Sequence, residues 1–168
     1  IDTSDKSNQR FLNDAQLMAK VINSLKLSTI NSKDYKAILF AGGHGTMWDF
    51  PDNKAVNALS AAIYENSGIV AAVCHGPAAL SGIKLSDGTY LIKNTRFAAF
   101  TNEEESQVKL SNVVPFSLQD KLVANGGKHV AGAPWSATAV VDQRLITGQN
   151  PQSAHKVGEL IVAELNKL

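Results

Sequence analysis

Two short apolar runs restrict the fold of this chain most: KAILFAGG at 36–43 and GIVAAV at 68–73. Neither alternates polar with apolar residues. As strands, both would have to be covered on both faces. Around them the pattern changes to helical spacing. Residues 8–25 place Phe11, Leu12, Ala15, Leu17, Met18, Val21, Ile22 and Leu25 along one helix. Asn53 to Asn66 reads as a second amphipathic helix, and a third starts at Gly76. EEESQVKL and PFSLQDKLVANGG predict two more, the latter stopped by Gly126-Gly127. TYLIKNTRFAAF (89–100) reads as a hairpin or two short strands around Lys93-Asn94. HVAGAP (129–134) and TAVVDQRLITG (138–148) read as strands, with a turn at Asp142-Gln143. Residues 151–168 form a closing helix with Ile161, Val162 and Leu165 on its apolar face. Helices alternating with doubly apolar strands predict an α/β layered fold with a largely parallel central sheet.

The length of 168 residues fits one domain, and no repeat or linker divides it. With 16 basic and 15 acidic side chains, the charge balance gives no reason to expect nucleic acid or a membrane surface as a partner. No apolar run approaches the roughly 20 residues that span a bilayer. A single cysteine makes no internal disulfide, which fits a reducing, cytoplasmic setting. The opening IDTSDKSNQRF is not a signal peptide. It reads as a polar loop entering a helix, so the expectation is a chain that begins inside a larger protein.

That one cysteine sits where the second apolar run ends, in AVCHGPAAL. In open α/β sheets, sites form at the carboxyl ends of strands. Cys74 falls at such an end, before a helix start whose free N–H groups favour an anion. Its pKa is therefore expected below the free value of about 8.5. Gly76 allows a tight turn, and Pro77 suits a first helical turn. This is the layout of a nucleophile elbow with cysteine in place of serine. A buried, inert thiol is the plainer alternative.

The first run ends in AGGHGTMWDFP. Two strand ends side by side can present backbone N–H groups as an oxyanion hole, here Gly43 and His75. A plain glycine turn is the alternative, and GGHG lacks the spacing of a phosphate-binding loop. His44, Trp48 and Phe50 are candidates to line a pocket, though each suits ordinary packing equally well. A catalytic histidine needs an orienting acid. TNEEES offers Glu103, Glu104 and Glu105, and spacing alone does not choose among them. The four histidines show no close metal-ligand spacing, so no metal site is expected from spacing, and convergence of His44 with an acid in space stays open.

Taken in order, AILFAGGHGTMWDFP, GIVAAVCHGPAAL, FTNEEE and RLITGQNPQSAHKVGELIV resemble the ThiJ/PfpI superfamily, which is class I glutamine amidotransferase-like. Within it, the chain is similar to the glyoxalase III and heat-shock-chaperone branch. The resemblance spans essentially the whole chain and implies one domain over 1–168 with a flavodoxin-like three-layer sandwich. It implies Cys74 as nucleophile, His75 as its partner and Glu105 as the third member, with Glu103 and Glu104 as bystanders. The oxyanion hole maps to the N–H groups of Gly43 and His75, with Gly42, His44 and Trp48 beside the substrate. Asn150 and Pro151 match the entry to the family's closing helix, and His155 is expected to be structural. Family members also carry a strand, a helix and a second strand before the point where this chain starts. That segment supplies an acid near the sulfur, and it is expected to come from elsewhere.

The resemblance implies a glyoxalase that needs no cofactor, neither glutathione nor metal. It would convert methylglyoxal or a related 2-oxoaldehyde to a hydroxy acid through a cysteine hemithioacetal. Three alternatives stand beside it: a stress-related chaperone that holds unfolded client proteins, a cysteine-type amidase or peptidase, and a redox sensor built on a reactive thiolate. A homodimer is plausible from the family.

Overall fold

The computed structural model describes residues 3–168. The chain divides into two compact units, residues 1–30 and 31–168. In the first, helix α1 (Lys6–Leu12) and helix α2 (Ala15–Ile22) replace the single helix expected over 8–25. The break has a local cause. The Asp14 carboxylate accepts from the N–H groups of Gln16 and Leu17, both at 3.0 Å, and so starts a new helix. Neither helix contains a buried residue.

The second unit is built on a four-stranded sheet. Its elements in chain order are β1 (Ala37–Phe40), α3 (Thr46–Asp49), α4 (Lys54–Glu65), β2 (Ile69–Val73), β3 (Arg96–Phe97), α5 (Asn102–Gln107), α6 (Leu118–Ala124), β4 (Lys128–His129), β5 (Ala139–Asp142), β6 (Leu145–Gly148) and α7 (Ala154–Leu165). The strand order is β1-β2-β6-β5. β1 pairs parallel with β2, and β2 with β6, aligning Leu39 with Ala71 and Ala71 with Ile146. β5 returns antiparallel beside β6 through the turn at 143–144, so the sheet is mixed but mostly parallel. Helices flank it, with α4 and α7 both packed against β2. Every residue of β2 and β6 is buried, as the unbroken apolar run of β2 requires, and the one polar side chain of β6, Thr147, accepts from Ala98 N at 2.9 Å. Burying each Val, Leu or Ile side chain here contributes about 1.5–3 kcal/mol. β1 lies at the edge of the sheet and is buried only at Phe40, less than its sequence suggests.

Two other expectations change. The 89–100 segment is not a hairpin. β3 pairs parallel with β4, and the only antiparallel contact nearby, among the described residues, is an isolated bridge between Lys84 and Tyr90. The helix expected from Gly76 is a six-residue 3-10 turn, Gly76–Ser81, buried throughout.

Candidate active site

The sheet's geometry brings the end of β2 against the loop that follows β1. Cys74 sits one residue beyond β2 with a left-handed backbone, φ 62°. A side chain pays strain in that region. The conformation is held because the Cys74 N–H donates to Gly148 O at 2.9 Å and its carbonyl accepts from Phe100 N at 3.0 Å. This strained turn between a strand and a helical segment is the elbow that the sequence suggested. Gly42 is required beside it: a Cβ there would lie 2.7 Å from Cys74 Cβ and 2.7 Å from Val73 O. Thr46 fastens the two loops together, its hydroxyl donating to Gly43 O at 2.8 Å and lying 3.1 Å from His75 O.

The side chains form a continuous chain of contacts. Cys74 Sγ lies 3.4 Å from His75 Nδ1, and His75 Nε2 lies 2.7 Å from Glu105 Oε2. The other oxygen of Glu105 meets His44 Nε2 at 2.8 Å. As a carboxylate, Glu105 accepts from both rings. It comes from the first turn of α5, which a capping box between Thr101 and Glu104 starts. The His75 ring is packed between His44 and Phe100, with centroids 4.0 and 4.3 Å away.

The backbone N–H groups of Gly43 and His75 favour the thiolate of Cys74. Even so, the expected lowering of the thiol pKa is reversed. Burial pushes the Cys74 thiol up, and the two N–H groups offset this only in part, while the charges of Glu104 and Glu105 add to it. His75 moves the other way: burial lowers it, and the Glu105 hydrogen bond only partly restores it. Both shifts favour the neutral pair, a thiol beside an imidazole.

These residues border a cavity of about 460 Å³, lined by Gly42, Gly43, His44, Cys74, His75, Phe100, Val108 and Trp135 among others. Trp48 is not among its lining residues and is 55% exposed, because α3 turns it to solvent. Phe50 packs edge-on against Phe40 instead. The indole at the cavity is Trp135, which the sequence did not single out. His155 is exposed and pairs with Glu159 at 3.2 Å.

Glu104 is also not a bystander. It is fully buried, and its Oε1 accepts from Trp135 N at 2.9 Å, Asn150 Nδ2 at 2.8 Å and Gln149 Nε2 at 3.1 Å. Burial would raise its pKa, but these bonds and that from Thr101 hold it below the usual carboxylate value. Glu103 faces solvent, 3.4 Å from Gln107. His44, His75 and Glu105 bring one ligand atom each within 4.8 Å of one another, a donor set able to hold a metal ion. Their spacing in sequence gave no sign of it.

Residues 13–164 match the model of the DJ-1/PfpI family. The chain is 35% identical over 132 residues to the glutathione-independent glyoxalase HSP31 of Saccharomyces cerevisiae, covering 75% of this chain and 56% of that protein. It superposes on the crystal structure of glyoxalase III from Candida albicans with a TM-score of 0.86 at 30% identity, covering 95% of this chain and 69% of that one. The rapid encystment protein REP24 of Francisella tularensis superposes with a TM-score of 0.90 at 42% identity, over 96% of this chain and 72% of that one. The chain thus spans little more than half the length of the yeast relative. Elbow, glycine loop, mixed sheet and sequence agree on one assignment: this chain belongs to the DJ-1/PfpI family.

Proposed function

We propose that the protein is a glutathione-independent glyoxalase that converts methylglyoxal or a similar 2-oxoaldehyde to a hydroxy acid, with Cys74 as nucleophile, His75 as acid and base, and Glu105 as the acid that orients His75. The observation that carries this reading is the thiol in the cavity wall, 3.4 Å from His75 Nδ1, with His75 Nε2 held 2.7 Å from Glu105. Relatives named as glyoxalases support the choice of substrate.

The resting site holds a thiol and a neutral imidazole, so attack and proton transfer are coupled. As Sγ bonds to the aldehyde carbon, the thiol proton passes to His75 Nδ1 and on to the new alkoxide, giving a hemithioacetal. The Gly43 and His75 N–H groups stabilise the developing oxyanion. His75 then removes the proton from the former aldehyde carbon and returns it to the neighbouring carbon through an enediol. The hydroxyl proton moves from the first oxygen to the second, leaving a 2-hydroxyacyl thioester on Cys74. Water releases the hydroxy acid. Glu105 favours the imidazolium formed along the way.

The test is the substrate class. Purified protein incubated with methylglyoxal in buffer free of glutathione is expected to form lactate. Turnover of small amide substrates with no lactate from any 2-oxoaldehyde would contradict the reading and point to a cysteine amidase.

A further inference from the structure

One carboxylate orients two imidazoles at this site. The triad uses Glu105 Oε2, and His44 takes Oε1 at 2.8 Å. The two rings differ in what they can reach. The His75 side chain is 1% exposed, and its Nδ1 is 3.4 Å from the Cys74 sulfur. The His44 side chain is 33% exposed and lines the cavity. With His44 Nε2 committed to Glu105, Nδ1 is the ring nitrogen left to take up a proton. A carboxylate-oriented imidazole at a cavity wall is the arrangement of a general base. The thioester step needs a base that water in the cavity can reach, and His44 is the more exposed of the two rings.

We propose that His44 is the general base that activates the water hydrolysing the Cys74 thioester. The inference rests on the glyoxalase reading above, which supplies the thioester. His44 Nδ1 takes one proton from water as its oxygen bonds to the acyl carbon. The carbonyl electron pair moves onto oxygen, held by the Gly43 and His75 N–H groups. Collapse of this intermediate breaks the carbon–sulfur bond and leaves a thiolate and the free hydroxy acid. The acid gives its proton to the thiolate, regenerating the thiol, and His44 returns its proton to solvent. The glycine loop brings the His44 ring against that of His75, with centroids 4.0 Å apart: His44 follows Gly43, whose φ is 113°.

The test is His44→Gln, which keeps a donor for Glu105 and removes the base, with methylglyoxal as the probe. Steady-state lactate formation is expected to fall by about 100-fold or more. A first-turnover burst of methylglyoxal consumption should remain, without a matching burst of lactate, and acid-quenched protein should carry one methylglyoxal mass on Cys74. Hydroxylamine should cleave that adduct to the hydroxamate, as a thioester requires and a hemithioacetal does not allow. Wild-type protein should carry little adduct. His44→Ala is the second variant, with the same expectation. Turnover in both variants within about threefold of wild type, or slow turnover with no trapped thioester in either, would overturn the proposal. Wild-type protein that forms neither lactate nor adduct would overturn the glyoxalase reading itself, a result distinct from failure of the His44 step alone.

Discussion

At Cys74, geometry and electrostatics pull in opposite directions. The neighbouring N–H groups of Gly43 and His75 favour a thiolate. Burial and the charges of Glu104 and Glu105 favour the thiol, and burial is the largest influence. Alkylation by iodoacetamide reports the thiolate, so its rate should rise with pH through a midpoint above the free-thiol value of about 8.5. Glu105→Gln separates the residue's two effects. Removing the negative charge should shift the alkylation midpoint to lower pH. It also puts an amide where His75 donates its Nε2 proton, favouring the wrong tautomer, so lactate formation should fall by about 100-fold or more. Easier alkylation with slower turnover is the expected pair of results. A midpoint shifted upward, or turnover left unchanged, would contradict the account.

The elements that frame the cavity meet on Glu104. Its Oε1 joins the Trp135 strap, Gln149 and Asn150, while its Oε2 accepts from Thr101 at the start of α5. Trp135 adopts φ 60°, a conformation that needs such anchoring. Glu104→Ala leaves the Trp135 N–H and the two amide groups without this acceptor, each costing about 1–3 kcal/mol where it stays unsatisfied. Urea denaturation should show a loss of about 3–5 kcal/mol, and a loss below about 1 kcal/mol would rule out this anchoring role. The anchoring through Oε1 was not visible in TNEEES, where three adjacent acids read as a solvated helix start. The partners of Oε1 lie 31 to 46 residues away along the chain, so only the fold reveals them. The elbow was legible for the opposite reason: strand, thiol, glycine and proline are contiguous. Local competition also explains the misread helices. Asp14 caps its own N–H neighbours and splits α1 from α2, and no composition-level pattern over 8–25 registers that.

For the 31–168 unit as a whole, the sheet order does the collecting. β1 and β2 run parallel side by side, so their carboxyl ends deliver the glycine loop and Cys74 to one place. Residues after β3 carry Phe100 and Glu105 there, with the Phe100 N–H bonded to the Cys74 carbonyl. The alternation of buried strands and helices made the layered architecture readable. The meeting of residues 44, 75, 105 and 135 was not readable from spacing and depended on topology. Trp48 was the natural aromatic to choose because it stands in the glycine-loop motif, yet Trp135 occupies the cavity wall. The central claim for the molecule is that this convergence works through one thiol. The most direct measurement is lactate formation from methylglyoxal without glutathione, comparing the protein with its Cys74→Ala variant. The account predicts lactate from the protein and none above background from the variant; equal rates from both would contradict it.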